Sequence, residues 1–468
     1  MRLINIDTLE LHEFFEKNIP KYVILSHRWG DGETSYKDYV KKRRTGSPGH
    51  MKILDACRFV RVWRQRAQED IVWLWIDTIC IDKRSSAELS EAINSMYSWY
   101  MNAEVCFAYL SDVPAWDGLW VGLWESRLHH FQSSAGWTLQ ELLAPAIVVF
   151  CDVEWRIVGH RCGLWQKSRH EIAPCRCTST SIADALYGPS LVKEVSATTN
   201  IPEIYLTCRR SDVTASVAQR MSWASKRQTT RVEDQAYSLL GMFDVNMPLL
   251  YGEGSKAFVR LQEEILKRSR DQSVLAWRAP SRFAWSIKRN PLAADDDFNV
   301  PGIVEESGRS MLAPSPSWFE DCGDVEFHAR EELSPSEPLL VTSEGLEMKI
   351  DLTQAIVKRR PPHTGRVNPT ATQFYAFRLS SKRRSPGRQF YESSGEIIPG
   401  WYKGIPYVYL LLSPLATIKE NSEEGQYFLR VHADDLGERA TIPDSDKKMR
   451  TRVFVPWVKD LDEDSSFG

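Results

Sequence analysis

The chain has 468 residues, 43% of them hydrophobic and 26% charged, with a formal net charge of -3. That length exceeds what one compact core holds, so two or three domains are expected. The near-neutral balance excludes a general nucleic-acid binder, which needs a strong basic surplus. No apolar run reaches the roughly 18 residues that span a bilayer, so no membrane span is expected.

The N-terminal stretch "MRLINIDTLELHEFF" carries acids where a secretory signal needs a basic start and an apolar core. Four short apolar runs follow: "YVILS" (22–26), "VWLWID" (72–77), "VCFAYL" (105–110) and "AIVVFC" (146–151). Their length, and their lack of polar alternation, predict strands covered on both faces. Between the first two, Ile53, Ala56, Val60, Trp63 and Ala67 mark one face of a helix. Between the second and third, Leu89, Ile93, Met96, Tyr100 and Ala103 form another such stripe, with Ser85 and Glu88 as a capping box. Strands alternating with helices predict an α/β domain with a mainly parallel sheet flanked by helices.

Residues 161–190 have no clear period and read as an insertion. His160, Cys162, His170, Cys175 and Cys177 gather there, but Cys175-Arg-Cys177 is too tightly spaced for a usual zinc site, so no metal is expected. A helical pattern returns from 232 and ends with Phe258, Leu261 and Ile265 on one face. Residues 286–337 are rich in Pro, Ser and Asp and read as a linker. The runs "PLLVTSEGLEMKI", "FYAFRLS", "YVYLLLS", "YFLRVHA" and "TRVFVPW" predict a mostly antiparallel β domain at the C-terminal end. The resulting division is 1–155, 156–285, 286–337 and 338–468. Nine scattered cysteines suit a reducing compartment, so a cytoplasmic location is expected.

Two stretches carry the residue types that chemistry needs. "LSHRWGD" places Ser26, His27, Arg28, Trp29, Gly30 and Asp31 at the C-terminal end of the first strand, the edge where open α/β sheets bind ligands. In "GWTLQEL", Trp137 and Glu141 are four residues apart and would share a helix face, an indole beside a carboxylate. The bland readings are a core tryptophan and a solvated glutamate. Asp77, at the end of the second strand, would sit at the same edge, either accepting a ligand hydroxyl or capping the next turn.

The ordered set "YVILSHRWGD", "WLWIDTICIDK", "SEAINSMYSWYMNAEVCFAYLSD" and "GWTLQELLAP" resembles the fungal heterokaryon-incompatibility (HET) domain, and "EDQAYSLLGMFDVNMPLLYGEGSKAFVRLQEEIL" is similar to the stretch that commonly follows it. More distantly, the same order resembles the TIR domain. Enzymatic TIR domains cleave NAD between nicotinamide and ribose, and the resemblance puts their catalytic glutamate at Glu141. It implies a substrate-binding loop of Ser26, Arg28, Trp29, Gly30 and Asp31, with Asp77 and Trp137 nearby. One departure is Ala135, which stands where HET domains usually carry arginine and would lower activity if that arginine binds substrate.

The resemblance implies an effector of fungal non-self recognition and programmed cell death, with NAD or a related nucleotide as candidate substrate and no cofactor. Self-association on activation and an unidentified protein partner for the C-terminal domain are expected with it. The alternative is a non-enzymatic signalling or scaffold module that acts through self-association.

Overall fold

The structure, a computed structural model, describes residues 1–15, 18–114, 136–162, 165–168, 171–173, 186–207, 215–277, 311–327, 340–342, 345–358, 372–383, 407–420, 423–431, 439–441 and 449–456. The chain divides into two compact units. The first joins Met1–Thr214 with Arg227–Gly252, and the second joins Ala215–Lys226 with Glu253–Gly468.

The first unit is α/β, built on a seven-stranded sheet. Its strands are β1 (Arg2–Asn5), β2 (Leu11–Glu13), β3 (Val23–His27), β4 (Trp73–Trp75), β5 (Cys106–Tyr109), β6 (Ile147–Cys151) and β7 (Ile157–Cys162), in the order β2-β1-β4-β3-β5-β6-β7. The four strands expected from the apolar runs, β4, β3, β5 and β6, are mutually parallel. The sheet as a whole is mixed, because β1 and β2 close one edge and β7 the other in antiparallel pairing. Those edge strands are short or polar on one side, so they carry little periodic signal.

Among the described residues, five helices accompany the parallel strands: α1 (Tyr36–Val40), α2 (Pro48–Ala67), α3 (Asp77–Cys80), α4 (Ser86–Asn102) and α5 (Thr138–Leu143). Ser47 caps α2 by accepting from the His50 amide, Pro48 takes the first turn, and Ile53, Ala56, Cys57, Val60 and Trp63 are buried. In α4 the buried residues are Ala92, Ile93, Met96, Tyr97 and Tyr100. The expected capping box is only half formed. Ser85 accepts from the Glu88 amide, but the Glu88 carboxylate is drawn away by Arg2, at 2.8 Å, and by the Asp82 amide, at 2.7 Å. A charged donor from β1 outcompetes the local backbone amide for that carboxylate. The second predicted strand also ends sooner than its apolar run. The Cys80 amide bonds back to the Ile76 carbonyl, so Asp77 opens a helical turn instead of closing a strand.

The connections fix where a site can form. After β3 the chain crosses through α2 to β4 on one side, then returns through α4 to β5 on the other side. That reversal makes the carboxyl ends of β3 and β5 the topological switch point of the sheet. Ser26 pairs with Ala108 and His27 with Tyr109 across this point.

After β7 the first unit includes a β8–β9 pair (Trp165–Ser168 and Glu171–Ala173) and helices α6 (Val192–Thr199) and α7 (Glu203–Thr207). His170, Cys175 and Cys177 lie outside the described residues. In the second unit, α8 (Val217–Ala224) begins with a complete Ser216–Gln219 capping box. A later helix (Lys256–Arg268) buries Phe258, Leu261 and Ile265, the face expected from sequence. Among the described residues, the strands from β10 (Val325–Phe327) to Met449–Pro456 form one eight-stranded sheet, its pairings antiparallel except that of Glu423–Val431 with Met449–Pro456. Residues 286–310 lie outside the described residues.

Candidate functional site

The helix α5 has only six residues, too few to hold itself in water. Its position is set by two buried arginines. At its first residue, Arg227 Nη1 donates to Thr138 Oγ1 at 2.8 Å. At its last turn, Arg161 from β7 donates to the carbonyls of Leu142 and Pro145, the latter at 3.0 Å, and to that of Leu206 at 3.3 Å. A guanidinium on the final carbonyls satisfies the groups a helix end leaves open and complements its dipole. Between these anchors the Glu141 side chain is aimed at the end of β3.

Ser26 Oγ donates to Glu141 Oε2 at 2.5 Å, and the Tyr100 hydroxyl, from α4, is shared between that carboxyl and the Leu25 carbonyl, the latter at 3.4 Å. Burial pushes the Glu141 carboxyl up to about 7. The hydrogen bonds from Ser26 and Tyr100 and the charge of Arg227 work against that rise, and the charge of Asp77 adds to it. A carboxyl in this range is present in both protonation states at neutral pH, the condition suited to acid–base work.

Beside it lies a second cluster around Asp77. Its Oδ2 accepts from Trp29 Nε1 at 2.8 Å and from Lys83 Nζ at 3.2 Å. Burial would raise the Asp77 carboxyl, but Lys83, His27 and the two donors hold it below its ordinary value. Lys83 Nζ also sits 3.2 Å from the centroid of the Trp29 ring. One indole face therefore packs against a cation, although Trp29 remains 53% exposed. His27 Nε2 is 3.7 Å from Asp77 Oδ1, beyond hydrogen-bond range, and neither ring nitrogen has a partner. Burial lowers the imidazole to about 4, so it is neutral at neutral pH.

The loop from 28 to 33 is pinned from α2. Lys52 pairs with Glu33 and donates to the Arg28 carbonyl at 3.2 Å, while the Gly30 amide donates to Glu33 Oε1 at 3.0 Å. The Arg28 side chain is exposed and has no partner among the described residues. It is therefore available to an anionic ligand at the sheet edge. Asp31 is exposed on the same turn and joins neither cluster. Trp137 does not share the Glu141 cluster. Its side chain hydrogen-bonds to Asp234, which also accepts from the Tyr251 hydroxyl at 3.0 Å.

Of the residues singled out from sequence, Ser26 and Glu141 meet directly, and Trp29 meets Asp77. Tyr100, Lys83, Arg161 and Arg227 were not singled out for the site. Tyr100 is hidden in a helix stripe that reads as core, and the arginines lie in segments with no recognisable pattern. Among the described residues no group of three or more His, Cys, Asp or Glu side chains could hold a metal ion. No described helix is long and apolar enough to cross a membrane.

Residues 22–141 match the family described as heterokaryon incompatibility protein (HET). Residues 256–340 match a domain of unknown function, DUF8212. The vegetative incompatibility protein HET-E-1 of Podospora anserina is 40% identical over 266 residues, which cover 53% of this chain and 16% of that protein. The chain thus spans a small part of the relative's length. No solved structure matches it.

Proposed function

The chain carries a heterokaryon-incompatibility domain, and from that premise we propose that it acts in fungal non-self recognition by cleaving the nicotinamide–ribose bond of NAD. We read the domain as TIR-like, with its ligand at the switch point of the sheet. The strands of residues 345–456 would recognise a protein partner. The observation that carries the reading is the Ser26–Glu141 contact, a titratable carboxyl held at the one sheet edge the topology leaves for a ligand.

The chemistry needs little else. When the bond between ribose C1′ and the pyridinium nitrogen breaks, its electron pair neutralises the ring, and nicotinamide leaves without an added proton. Positive charge develops on the ribose, and an ionised Glu141 stabilises it. Water then adds at C1′ and gives up its proton, leaving ADP-ribose. Ser26 and Tyr100 orient the carboxylate, Arg28 takes a phosphate, and the open face of Trp29 stacks on a ring.

The test is incubation of the purified chain with NAD at high protein concentration, with released nicotinamide measured by chromatography. Wild type should consume NAD, and Arg28→Ala should raise the substrate concentration required. No nicotinamide from wild type, together with undiminished cell death in a Glu141→Gln strain, would replace this reading with a non-enzymatic module acting by self-association.

A further inference from the structure

Residues 227–252 lie outside the matched stretch 22–141, yet they belong to the same compact unit. They approach the site closely. The Gly136 amide donates to the Gln228 carbonyl at 3.1 Å, and a Cβ at Gly136 would stand 2.7 Å from Thr229 Cγ2 and 2.8 Å from Ser238 Oγ. Met247 and Asn94 of α4 exchange hydrogen bonds through backbone and side chain. At the start of this segment Arg227 is only 8% exposed. Its Nη1 bonds to Thr138, and Glu141 follows Thr138 by three residues, which puts both on one face of α5. A buried guanidinium needs a compensating anion, and the carboxylate whose charge acts on Arg227 is that of Glu141.

We propose that Arg227 is a positioning residue of the site, anchoring the first turn of α5 through Thr138 and supplying a buried positive charge beside the Glu141 carboxyl. The inference deepens the nicotinamide-releasing reading and rests on it for any effect on catalysis, but its physical content stands apart from activity. The functional domain is then assembled from two stretches of sequence, with 227–252 completing what 22–141 begins.

The experiment follows Glu141 directly in the full chain, by carbon NMR of selectively labelled glutamate across a pH titration. The other groups facing Glu141 are Ser26 of β3, Asp77 of α3, Tyr100 of α4 and Cys106 of β5, and all stay in place. In Arg227→Gln the Glu141 midpoint should rise above about 7, because a positive charge that favours the ionised carboxylate is lost. Arg227→Lys should restore most of it. An unmoved midpoint in Arg227→Gln overturns the proposal.

Because that variant risks misfolding, Thr138→Val provides an independent arm. It keeps the charge and the shape but removes the anchor, so hydrogen exchange of the α5 amides should quicken about tenfold, as expected for losing a bond to a charged group. Unchanged exchange also overturns the proposal. Assaying the same proteins with NAD separates the two readings. A shifted midpoint without NAD loss from wild type leaves the role of Arg227 standing and removes the catalytic one, and NAD loss with an unmoved midpoint does the reverse.

Discussion

Ser26 and Glu141, separated by 115 positions in the chain, meet at 2.5 Å at the end of β3. Burial raises Glu141 from its ordinary 4.5 to about 7, so the unfolded chain ionises this group more readily than the folded one. Between those values the native state binds more protons, and stability from this residue falls as pH rises through the window.

Glu141→Gln should therefore have two opposite effects. Nicotinamide release should drop about 100-fold or more, the scale of removing a preorganised electrostatic group, with the loss mainly in kcat. Above pH 7 the variant should be more stable than wild type, by on the order of 3 kcal/mol, and the gain should shrink to about 1 kcal/mol or less near pH 5. Steady-state kinetics and urea midpoints at the two pH values check the pair of outcomes.

His27 acts in the reverse direction. Its imidazole is lowered from 6.5 to about 4 by burial, so the native state refuses a proton that the unfolded chain accepts. Its contribution is fully present above pH 6.5 and is lost as pH falls towards 4. Over much of that range it offsets Glu141, and wild-type stability should be nearly flat. His27→Leu removes one side of the balance, so urea midpoints of that variant should rise on acidification from pH 6.5 to 5. A midpoint that falls as steeply as in Glu141→Gln would contradict this assignment.

Asp77→Asn should release Trp29 and Lys83 together, because one carboxylate oxygen accepts from both. Lys83 is about one-third exposed, so the lost ion pair should cost little stability, about 1 kcal/mol or less. The indole should become mobile, seen as a red shift and lower anisotropy of Trp29 emission in a variant whose other exposed tryptophans are replaced. Ligand affinity should fall as well if the ring face is part of the site.

Gly241→Ala tests whether residues 227–252 are structural parts of the domain. An added Cβ would stand 2.0 Å from Tyr97 Cβ on α4, a rigid position that cannot swing aside. Overpacking of this kind should destabilise the first unit by about 2 kcal/mol or more, lowering its melting temperature. A fragment ending at residue 155 should fail to fold for the related reason that α5 loses Arg227 and Arg161 together.

Sequence by itself determined the elements whose period is long and regular. The stripes of α2 and α4 and the four parallel strands follow from apolar spacing alone, because burying one face is a local requirement written residue by residue. It also pointed to the end of "YVILS" as the place for a candidate site, since the carboxyl edge of a parallel sheet is where loops gather. Three things were decided only by tertiary structure. The first is the mixed character of the sheet, which β1, β2 and β7 impose through antiparallel pairings with partners that no local pattern names. The second is the fate of individual side chains. Trp137 turned to Asp234, Trp29 to Asp77 and Glu88 to Arg2, each drawn by a partner remote in sequence. The third is the position of Glu141, on a helix too short to stand alone and fixed by arginines 20 and 86 residues further along the chain. Periodicity reports which face is buried, but the partner of a buried charge is chosen in three dimensions, where desolvation makes that choice count most.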